Sequence, residues 1–262
     1  MGKKMKVSYW VISLQNSVWR KKINSNLKDV ANEIKIFDAI DVRNLSKHEL
    51  DGIISFDEVA KNMGRELALP EIGCAASHLK IYEKFLLSND DCIVVFEDDA
   101  ELVDENIDKF VKTFFEEKSK DPTVISFFTQ EAYALRTASS QILKCITRPL
   151  NTVGYAMNKL AAQNILDSTN HKVVSTADWP PAKNVQFYVT KKPLVKHHEN
   201  FSSIERSRAN LRAPDLLKMI SQIITGNFIN FKVLRQSCLR LLLKSVSFLR
   251  IAVIKIKHKD ES

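Results

Sequence analysis

The sequence predicts an α/β fold built around a mostly parallel central sheet. A strand, helix, strand succession opens the chain between residues 7 and 41, and an unbroken apolar run, "CIVVF", occupies residues 92–96. Strands that alternate with helices form parallel sheets, and strands buried on both faces read as continuous apolar runs. The chain has 262 residues, 45% of them hydrophobic, which suffices for one large domain of this class or two small ones.

The first predicted elements are a strand at 7–14, a helix and a second strand. Ile23, Leu27 and Val30 recur at helical spacing, and "EIKIFDAID" at 33–41 reads as a short strand that ends in a turn. The basic start and its short apolar run lack the small-residue cleavage site of a secretory signal, so a first strand fits them better. We therefore expect the protein to remain inside the cell.

A long helix is predicted to begin near Pro70, after a shorter helix that begins at Ser46. Proline is favoured in the first turn of a helix, and Cys74, Leu79 and Tyr82 form an apolar stripe behind it. This helix leads directly into the apolar run.

Downstream of the apolar run, the pattern predicts a helix at 104–118, a strand at 123–128, and a strand or loop that leads into a helix from Lys159. Residues 130–148 show no clear period. Strand and loop material interrupted by prolines then extends to about residue 205. We place the domain boundary there, so that the first domain spans residues 1–205.

Three consecutive carboxylates, Glu97, Asp98 and Asp99, follow the buried run without a turn signal. Side chains alternate along an extended chain, so Glu97 and Asp99 are expected on the same side. Ligands bind beyond the carboxyl ends of strands in open α/β sheets, and paired carboxylates suit a hard divalent cation, Mg²⁺ or Mn²⁺. The alternative is a solvated strand end or a helix start, where acidic residues are also favoured. Spacing alone leaves both open.

The four cysteines are widely spaced and form no C-x-x-C pair. Neither a zinc site nor a disulfide framework is indicated, and we expect reduced thiols in the cytosol. No phosphate-binding loop, dinucleotide fingerprint or Ser-His-Asp signature is present, so kinase, dehydrogenase and hydrolase functions have no support.

Three segments carry a resemblance to a known family. In order and spacing, "PEIGCAASH" at 70–78, "VVFEDDAEL" at 94–102 and "VGYAMNKLAA" at 153–162 resemble the motifs of glycosyltransferase family 25, the lipooligosaccharide biosynthesis galactosyltransferases of Gram-negative mucosal bacteria. The resemblance spans roughly residues 6–200 and includes "VISLQNSVWR" and "FDAID". The family usually has Asn in place of Ser13 and Gly in place of Pro70.

The resemblance implies a GT-A like nucleotide-sugar-binding fold, a UDP-galactose donor, a divalent metal (Mn²⁺ or Mg²⁺) and inversion at the anomeric carbon. By analogy, Asp99 would ligate the metal directly. Glu97 and Asp98 would position the ribose or a metal-bound water, and Glu97 is also a second candidate ligand. An inverting displacement needs a carboxylate that takes the proton of the acceptor hydroxyl. Asp178, in "STADW", matches the family's later aspartate best and is the candidate base.

Two further residues are candidates for the donor site. His78, within "GCAASH", is a candidate for a phosphate contact, and Arg20 could steady the diphosphate. The alternatives are a packed or capping histidine and a solvated helix charge.

On the acceptor side, Gly154 and Tyr155 are candidate substrate-binding residues, because a glycine permits close backbone approach and an aromatic face suits a sugar. The alternative is a core tyrosine beside a turn glycine. His197 and His198 could supply a third metal ligand, although we favour a structural role for them.

The basic charge is concentrated in the last third of the chain. Residues 183–262 hold 16 Lys and Arg against 5 Asp and Glu, whereas residues 1–182 hold 23 against 26. From 216 to 259 nine basic residues interrupt apolar clusters and no acidic residue occurs. We expect basic amphipathic helices over 206–262 that lie on an anionic membrane without spanning it. An alternative is that this tail packs on the domain or in a dimer; few interleaved aromatics and no known motif argue against nucleic acid.

These observations predict a cytoplasmic enzyme, peripheral on the inner face of the cytoplasmic membrane. It would transfer a hexose, galactose from UDP-galactose, to a sugar of a lipid-linked oligosaccharide acceptor. A non-catalytic nucleotide-sugar-binding protein and a nucleotidyltransferase with the same acidic metal site are the rival functions. Donor sugar, acceptor sugar, linkage and oligomeric state are left open.

Overall fold

The computed structural model describes residues 5–27, 30, 33–104, 106–135, 141–178, 180–197 and 253–257. The strands are β1 (Val7–Ser13), β2 (Lys35–Asp38), β3 (Cys92–Glu97), β4 (Ala100–Leu102), β5 (Thr123–Ser126), β6 (Ala132–Leu135), β7 (Ile142–Lys144), β8 (Gly154–Asn158), β9 (Gln186–Thr190), β10 (Val195–His197) and β11 (Val253–Ile256). The helices are α1 (Ile23–Asn26), α2 (Lys47–Ile53), α3 (Phe56–Met63), α4 (Leu69–Leu87), α5 (Ile107–Lys118) and α6 (Lys159–Thr169).

Seven of these strands form one sheet in the order β2-β1-β3-β8-β5-β9-β7. The pairings of β2 with β1, β1 with β3 and β5 with β9 are parallel, and those of β8 and β7 with their neighbours are antiparallel. Five strands therefore point one way and two point the other. The predicted α/β class with a mostly parallel central sheet is confirmed.

The sheet is covered on both faces, as the apolar run predicted. In β3, Ile93 and Val95 pack into the cluster that contains α4 and α6, whereas Val94 and Phe96 pack into the cluster that contains α5. All four side chains are fully buried. Because alternate side chains enter opposite cores, β3 is fixed at the centre of the molecule and its last residue, Glu97, emerges at one sheet edge.

Helix α4 is held against this edge by close contacts at its start. Ser77 Oγ accepts the Ile40 backbone N–H at 2.8 Å and donates to the Gly73 carbonyl at 2.7 Å. A Cβ atom on Gly73 would lie 2.6 Å from the Ile40 carbonyl oxygen, so only glycine permits this approach. The motif "GCAAS" thus docks α4 on the loop that follows β2.

A buried ion pair fixes the first turn of α4. The Glu71 side chain is 1% exposed, and its two carboxylate oxygens each accept an Arg65 N–H at 2.7 Å. One oxygen also accepts the Ala68 backbone N–H at 2.9 Å, which caps the helix start. The predicted start near Pro70 is confirmed to within one residue.

Two predicted helices differ from the structure. The first, expected through Val30, consists of a 3-10 turn at Arg20–Lys22 and the short α1. In the C-terminal tail, Val253–Ile256 form strand β11, which pairs antiparallel with β6, so the helical prediction is wrong for these residues. Ile256 is buried there and the Lys255 Nζ lies 2.6 Å from a Glu131 carboxylate oxygen.

The prediction of basic amphipathic helices elsewhere in 206–262 lies outside the described residues. Within the part of the chain that the structure describes, no helix has the length and apolar character needed to cross a membrane.

Candidate functional site

A cleft of about 520 Å³ opens where β1, β2 and β3 end. Its walls come from the loop after β1, the loop after β2, the first turns of α4 and the acidic residues after β3. The cleft lining includes Ser13, Trp19, Asp41, Arg43, Cys74, Glu97, Asp98 and Asp99. The carboxyl ends of three parallel strands thus meet at one open site, as the fold class predicted.

The three carboxylates all line this cleft, but not for the predicted reason. Strand β3 ends at Glu97, and Asp98 and Asp99 lie in the turn before β4. Strand alternation therefore does not extend to Asp99. The turn itself directs the three side chains to the same cleft.

Asp98 is held in place by the end of β1. Ser13 Oγ donates to Asp98 Oδ2 at 2.6 Å. Burial raises the pKa of the Asp98 carboxyl, and the charges of Asp99 and Glu97 raise it further, while hydrogen bonds from Ser13 and Ser17 oppose this rise. The Ser13 that replaces the family's usual Asn thus makes a direct contact with the acidic motif.

Glu97 is the partly exposed end of a chain of buried polar groups. Its Oε1 atom accepts the Thr152 hydroxyl at 2.5 Å and lies 3.6 Å from His78 Nε2. His78 Nδ1 lies 2.6 Å from the Tyr155 hydroxyl, which lies 2.8 Å from the Tyr82 hydroxyl. His78, Tyr82 and Tyr155 are each at most 4% exposed, and burial raises the pKa of both tyrosines.

Three potential metal ligands converge beside the cleft. One ligand atom from each of Cys74, His78 and Glu97 lies within 4.8 Å of the other two. Cys74 and His78 are one turn apart on α4, so they project from the same helix face. Burial raises the pKa of the Cys74 thiol, and the charges of Glu97, Asp178 and Asp99 raise it further.

This grouping differs from the predicted metal site. Glu97 is common to both, but Asp99 does not belong to the group of three, and Cys74 was not predicted as a site residue. The C-x-x-x-H spacing on a predicted helix was the available signal for Cys74. The carboxylates of Glu97 and Asp99, both on the open cleft, still provide the oxygen ligands that Mg²⁺ or Mn²⁺ prefers.

Asp178 lies in the loop between α6 and β9. One of its carboxylate oxygens accepts the Asn151 backbone N–H at 3.3 Å. It lines a small second cavity of about 40 Å³ together with Tyr82, Thr152 and Tyr155. Thr152, which lines this cavity, donates to Glu97 of the large cleft, so this side chain links the two cavities.

The other predicted site residues have different surroundings. Arg20 Nη1 lies 2.6 Å from Asp38 Oδ1 and donates to the Ser13 carbonyl at 3.4 Å. Its charge is therefore already paired at the end of β2. The side chains of His197 and His198 lie outside the described residues.

Gly154 and Tyr155 occupy the core and not an open surface. A Cβ atom on Gly154 would lie 2.9 Å from Val195 Cγ2 and 3.2 Å from Phe96 Cδ1. Tyr155 is 4% exposed, so its ring offers no open face to a sugar in this structure. Both positions agree with the alternative of a core tyrosine beside a tightly packed glycine.

Comparison with solved structures finds several proteins at low similarity. A mannose-1-phosphate geranyltransferase from Thermus thermophilus is 12% identical, with 71% of this chain and 74% of that chain covered and a TM-score of 0.42. A glycosyltransferase involved in glycosylation of the major capsid of PBCV-1 is 9% identical, with 78% and 98% covered and a TM-score of 0.39. A UDP-glucose pyrophosphorylase complexed with UDP-glucose is 7% identical, with 71% and 90% covered and a TM-score of 0.41. A search of curated proteins found no match.

The sequence itself matches a family model. Residues 6–179 match the family described as glycosyltransferase family 25 (LPS biosynthesis protein). The matched range is more than half of the chain and contains the cleft, the acidic motif, α4 and Asp178. The assignment rests on this match and agrees with the three motifs quoted above. The chain therefore belongs to glycosyltransferase family 25.

Proposed function

We propose that the protein is an inverting glycosyltransferase that moves a hexose, galactose from UDP-galactose, onto a sugar of bacterial lipooligosaccharide. The observation that carries this proposal is the large cleft at the ends of three parallel strands, whose lining includes Glu97, Asp98 and Asp99. Family membership supplies the reaction class.

The large cleft is the proposed donor site. Its volume suits a nucleotide sugar, and Trp19, Asp41 and Arg43 add an aromatic face and both signs of charge to its lining. Glu97 and Asp99 are the proposed ligands of Mn²⁺ or Mg²⁺, which would neutralise the diphosphate when bound. Asp98, fixed by Ser13, is proposed to contact the ribose.

Asp178 is the proposed general base. It takes the proton of the acceptor hydroxyl as the hydroxyl oxygen forms its bond to the anomeric carbon. The bond between that carbon and the UDP oxygen breaks on the opposite face, which inverts the configuration. The Asn151 N–H holds the Asp178 carboxylate in position, and the small cavity beside it is the proposed acceptor side.

A chain of buried polar side chains contacts Glu97 on the protein side of this site, and it consists of His78, Tyr155 and Tyr82. His78 is proposed to orient Glu97 and not to contact phosphate, because the residue is 1% exposed and its Nε2 atom lies 3.6 Å from Glu97 Oε1. For Arg20, we propose that it positions the end of β1 through its Asp38 pair.

The experiment is a donor panel with a lipooligosaccharide acceptor. Each UDP-sugar is supplied with Mn²⁺, and released UDP and pyrophosphate are measured together with the anomeric configuration of the product. We expect UDP release, the fastest turnover with UDP-galactose and an inverted linkage. Pyrophosphate release would establish a nucleotidyltransferase. A protein that binds UDP-sugar but neither transfers nor hydrolyses it would be a binding protein.

The basic tail is proposed to hold the enzyme at the anionic membrane that carries its acceptor. Because Val253–Ile256 pair with β6, truncation of the tail would remove a strand of the fold. Replacement of basic side chains in the tail is therefore the cleaner test. Lys232, Arg235, Arg240 and Lys244 should be replaced together by Gln. We expect weaker sedimentation with anionic vesicles at low salt and unchanged turnover on a soluble acceptor. Undiminished sedimentation would overturn the membrane role.

A further inference from the structure

We infer that Cys74, His78 and Glu97 form a binding site for a thiophilic divalent cation, with Zn²⁺ as the fitting ion. This site is distinct in chemistry from the carboxylate pair proposed for Mn²⁺ or Mg²⁺, although the two share Glu97. The proposal goes beyond glycosyl transfer, because it concerns a cation that the transfer reaction does not call for.

The ligand set matches zinc in kind. Zinc binds cysteine sulfur, histidine nitrogen and carboxylate oxygen, whereas Mg²⁺ and Mn²⁺ prefer oxygen. The sequence contains no contiguous zinc motif, because only two of the three ligands are close in the chain. Cys74 and His78 stand one turn apart on α4, and Glu97 comes from the end of β3.

The geometry also fits. Tetrahedral zinc bonds of about 2.0 to 2.3 Å place ligand atoms about 3.5 Å apart. His78 Nε2 and Glu97 Oε1 are 3.6 Å apart, and the three ligand atoms lie within 4.8 Å of one another.

Among the described residues, an unpartnered nitrogen of His78 supports the site independently of the ligand distances. Its side chain is 2% exposed, and Nε2 is buried without a hydrogen-bond partner in the described structure. A buried polar atom without a partner costs free energy, and a cation would satisfy it. The atom lies 3.6 Å from Glu97 Oε1, one of the two other ligand atoms.

The surrounding groups resemble the outer shell of a metal site. Histidine ligands of metals use their other ring nitrogen in a hydrogen bond that fixes the ring, and here His78 Nδ1 lies 2.6 Å from the Tyr155 hydroxyl. Glu97 is in turn held by Thr152. Tyr155, buried and unsuited to sugar stacking, thereby acquires a positioning role.

The site has an entry path and an open coordination position. Cys74 and Glu97 both line the large cleft, so a cation can enter from it. Three protein ligands leave the fourth tetrahedral position for water. On binding, the Cys74 thiol loses its proton to water and the thiolate coordinates the cation.

The test uses the full-length, tag-free protein without any UDP-sugar, so that its outcome is independent of the transfer reaction. Zn²⁺ binding is measured by calorimetry, and Co²⁺ is used as a spectroscopic substitute. We expect one high-affinity Zn²⁺ per chain and a near-ultraviolet thiolate-to-cobalt charge-transfer band. Absence of that band in the wild-type protein would overturn the site.

Matched variants assign the ligands. Cys74→Ala should abolish the band and weaken zinc binding at least about tenfold, whereas Cys145→Ala, at another half-buried cysteine, should change neither. Tyr155→Phe should keep the band and weaken binding by about 10-fold to 100-fold, the usual effect of an outer-shell partner. A band that persists in Cys74→Ala, with circular dichroism showing a folded protein, would refute the assignment.

Discussion

The two halves of the central sheet differ in strand direction and in the cavities that they border. In the half formed by β2, β1 and β3, the strands are parallel and their ends open on the large cleft. In the half formed by β8, β5, β9 and β7, strand directions are mixed, and the small cavity beside Asp178 lies against one face of this half, lined by Val124, Ser126 and Tyr155. One half carries the acidic motif of Glu97, Asp98 and Asp99, and the other carries the buried Tyr155 and lies beside Asp178.

The difference shows what an antiparallel strand contributes to such a site. Phe96 of β3 pairs with Gly154 of β8, so the end of one strand lies beside the start of the other. The loop before β8 therefore reaches the acidic motif, and the Thr152 hydroxyl in that loop donates a hydrogen bond to the Glu97 carboxylate. The parallel half provides the ligand groups, and the antiparallel strand provides the groups that orient them.

The largest effect is expected at the acidic motif of the parallel half. Asp99→Asn should lower turnover about 10³-fold or more and weaken UDP binding in Mn²⁺, because it removes a charge from the proposed metal site. The thermal midpoint should be unchanged or raised, since a cluster of like charges is relieved. Asp121→Asn, at an exposed carboxylate, is the control, and full activity of Asp99→Asn would contradict the metal assignment.

The next effect is expected from the carboxylate of the other half. Asp178→Asn should lower kcat by about 10² to 10⁴, the usual contribution of general-base catalysis, and leave UDP affinity nearly unchanged. Asparagine still accepts the Asn151 N–H, so the loop should keep its conformation. A collapse of UDP affinity in equilibrium binding would move Asp178 to the donor site.

Stability should respond to the ion pair under the cleft wall. Arg65→Met leaves the buried Glu71 carboxylate without its charged partner, which should cost about 3 to 5 kcal/mol in the free energy of unfolding. Arg43→Met breaks the exposed pair with Asp41 and should cost less than about 1 kcal/mol. Urea denaturation compares the two, and equal losses would show that the burial of Glu71 is not what matters.

The smallest effect is expected at the start of β8. Gly154→Ala places a methyl group against Val195 and Phe96 and should cost about 1 to 3 kcal/mol through overpacking. Gly52→Ala meets no atom within 4 Å and lies inside α2, so it should be neutral or stabilising by up to about 1 kcal/mol. Thermal unfolding of both variants tests the close packing, and a Gly154→Ala protein as stable as Gly52→Ala would exclude it.

Elements with a strong local period were predictable. The buried run of β3 and the start of α4 follow from neighbouring residues, since apolar periodicity and helix capping act over a few positions. The short helix after β1 and strand β11 were not predictable in this way. Val253–Ile256 read as part of a basic amphipathic helix, and only β6, more than a hundred residues earlier, offers the backbone partner that makes them a strand.

The candidate site shows the same difference between what local sequence predicts and what long-range contacts decide. By itself the sequence determined that three carboxylates stand at the end of a buried strand and that His78 lies on a long helix that begins near Pro70. Only the tertiary structure decided that Glu97 meets Cys74 and His78, that Thr152 joins Glu97 to the cavity of Asp178, and that Tyr155 is buried against His78. These contacts join residues from separate elements, and their distances depend on how helices pack on the sheet, which no local pattern specifies.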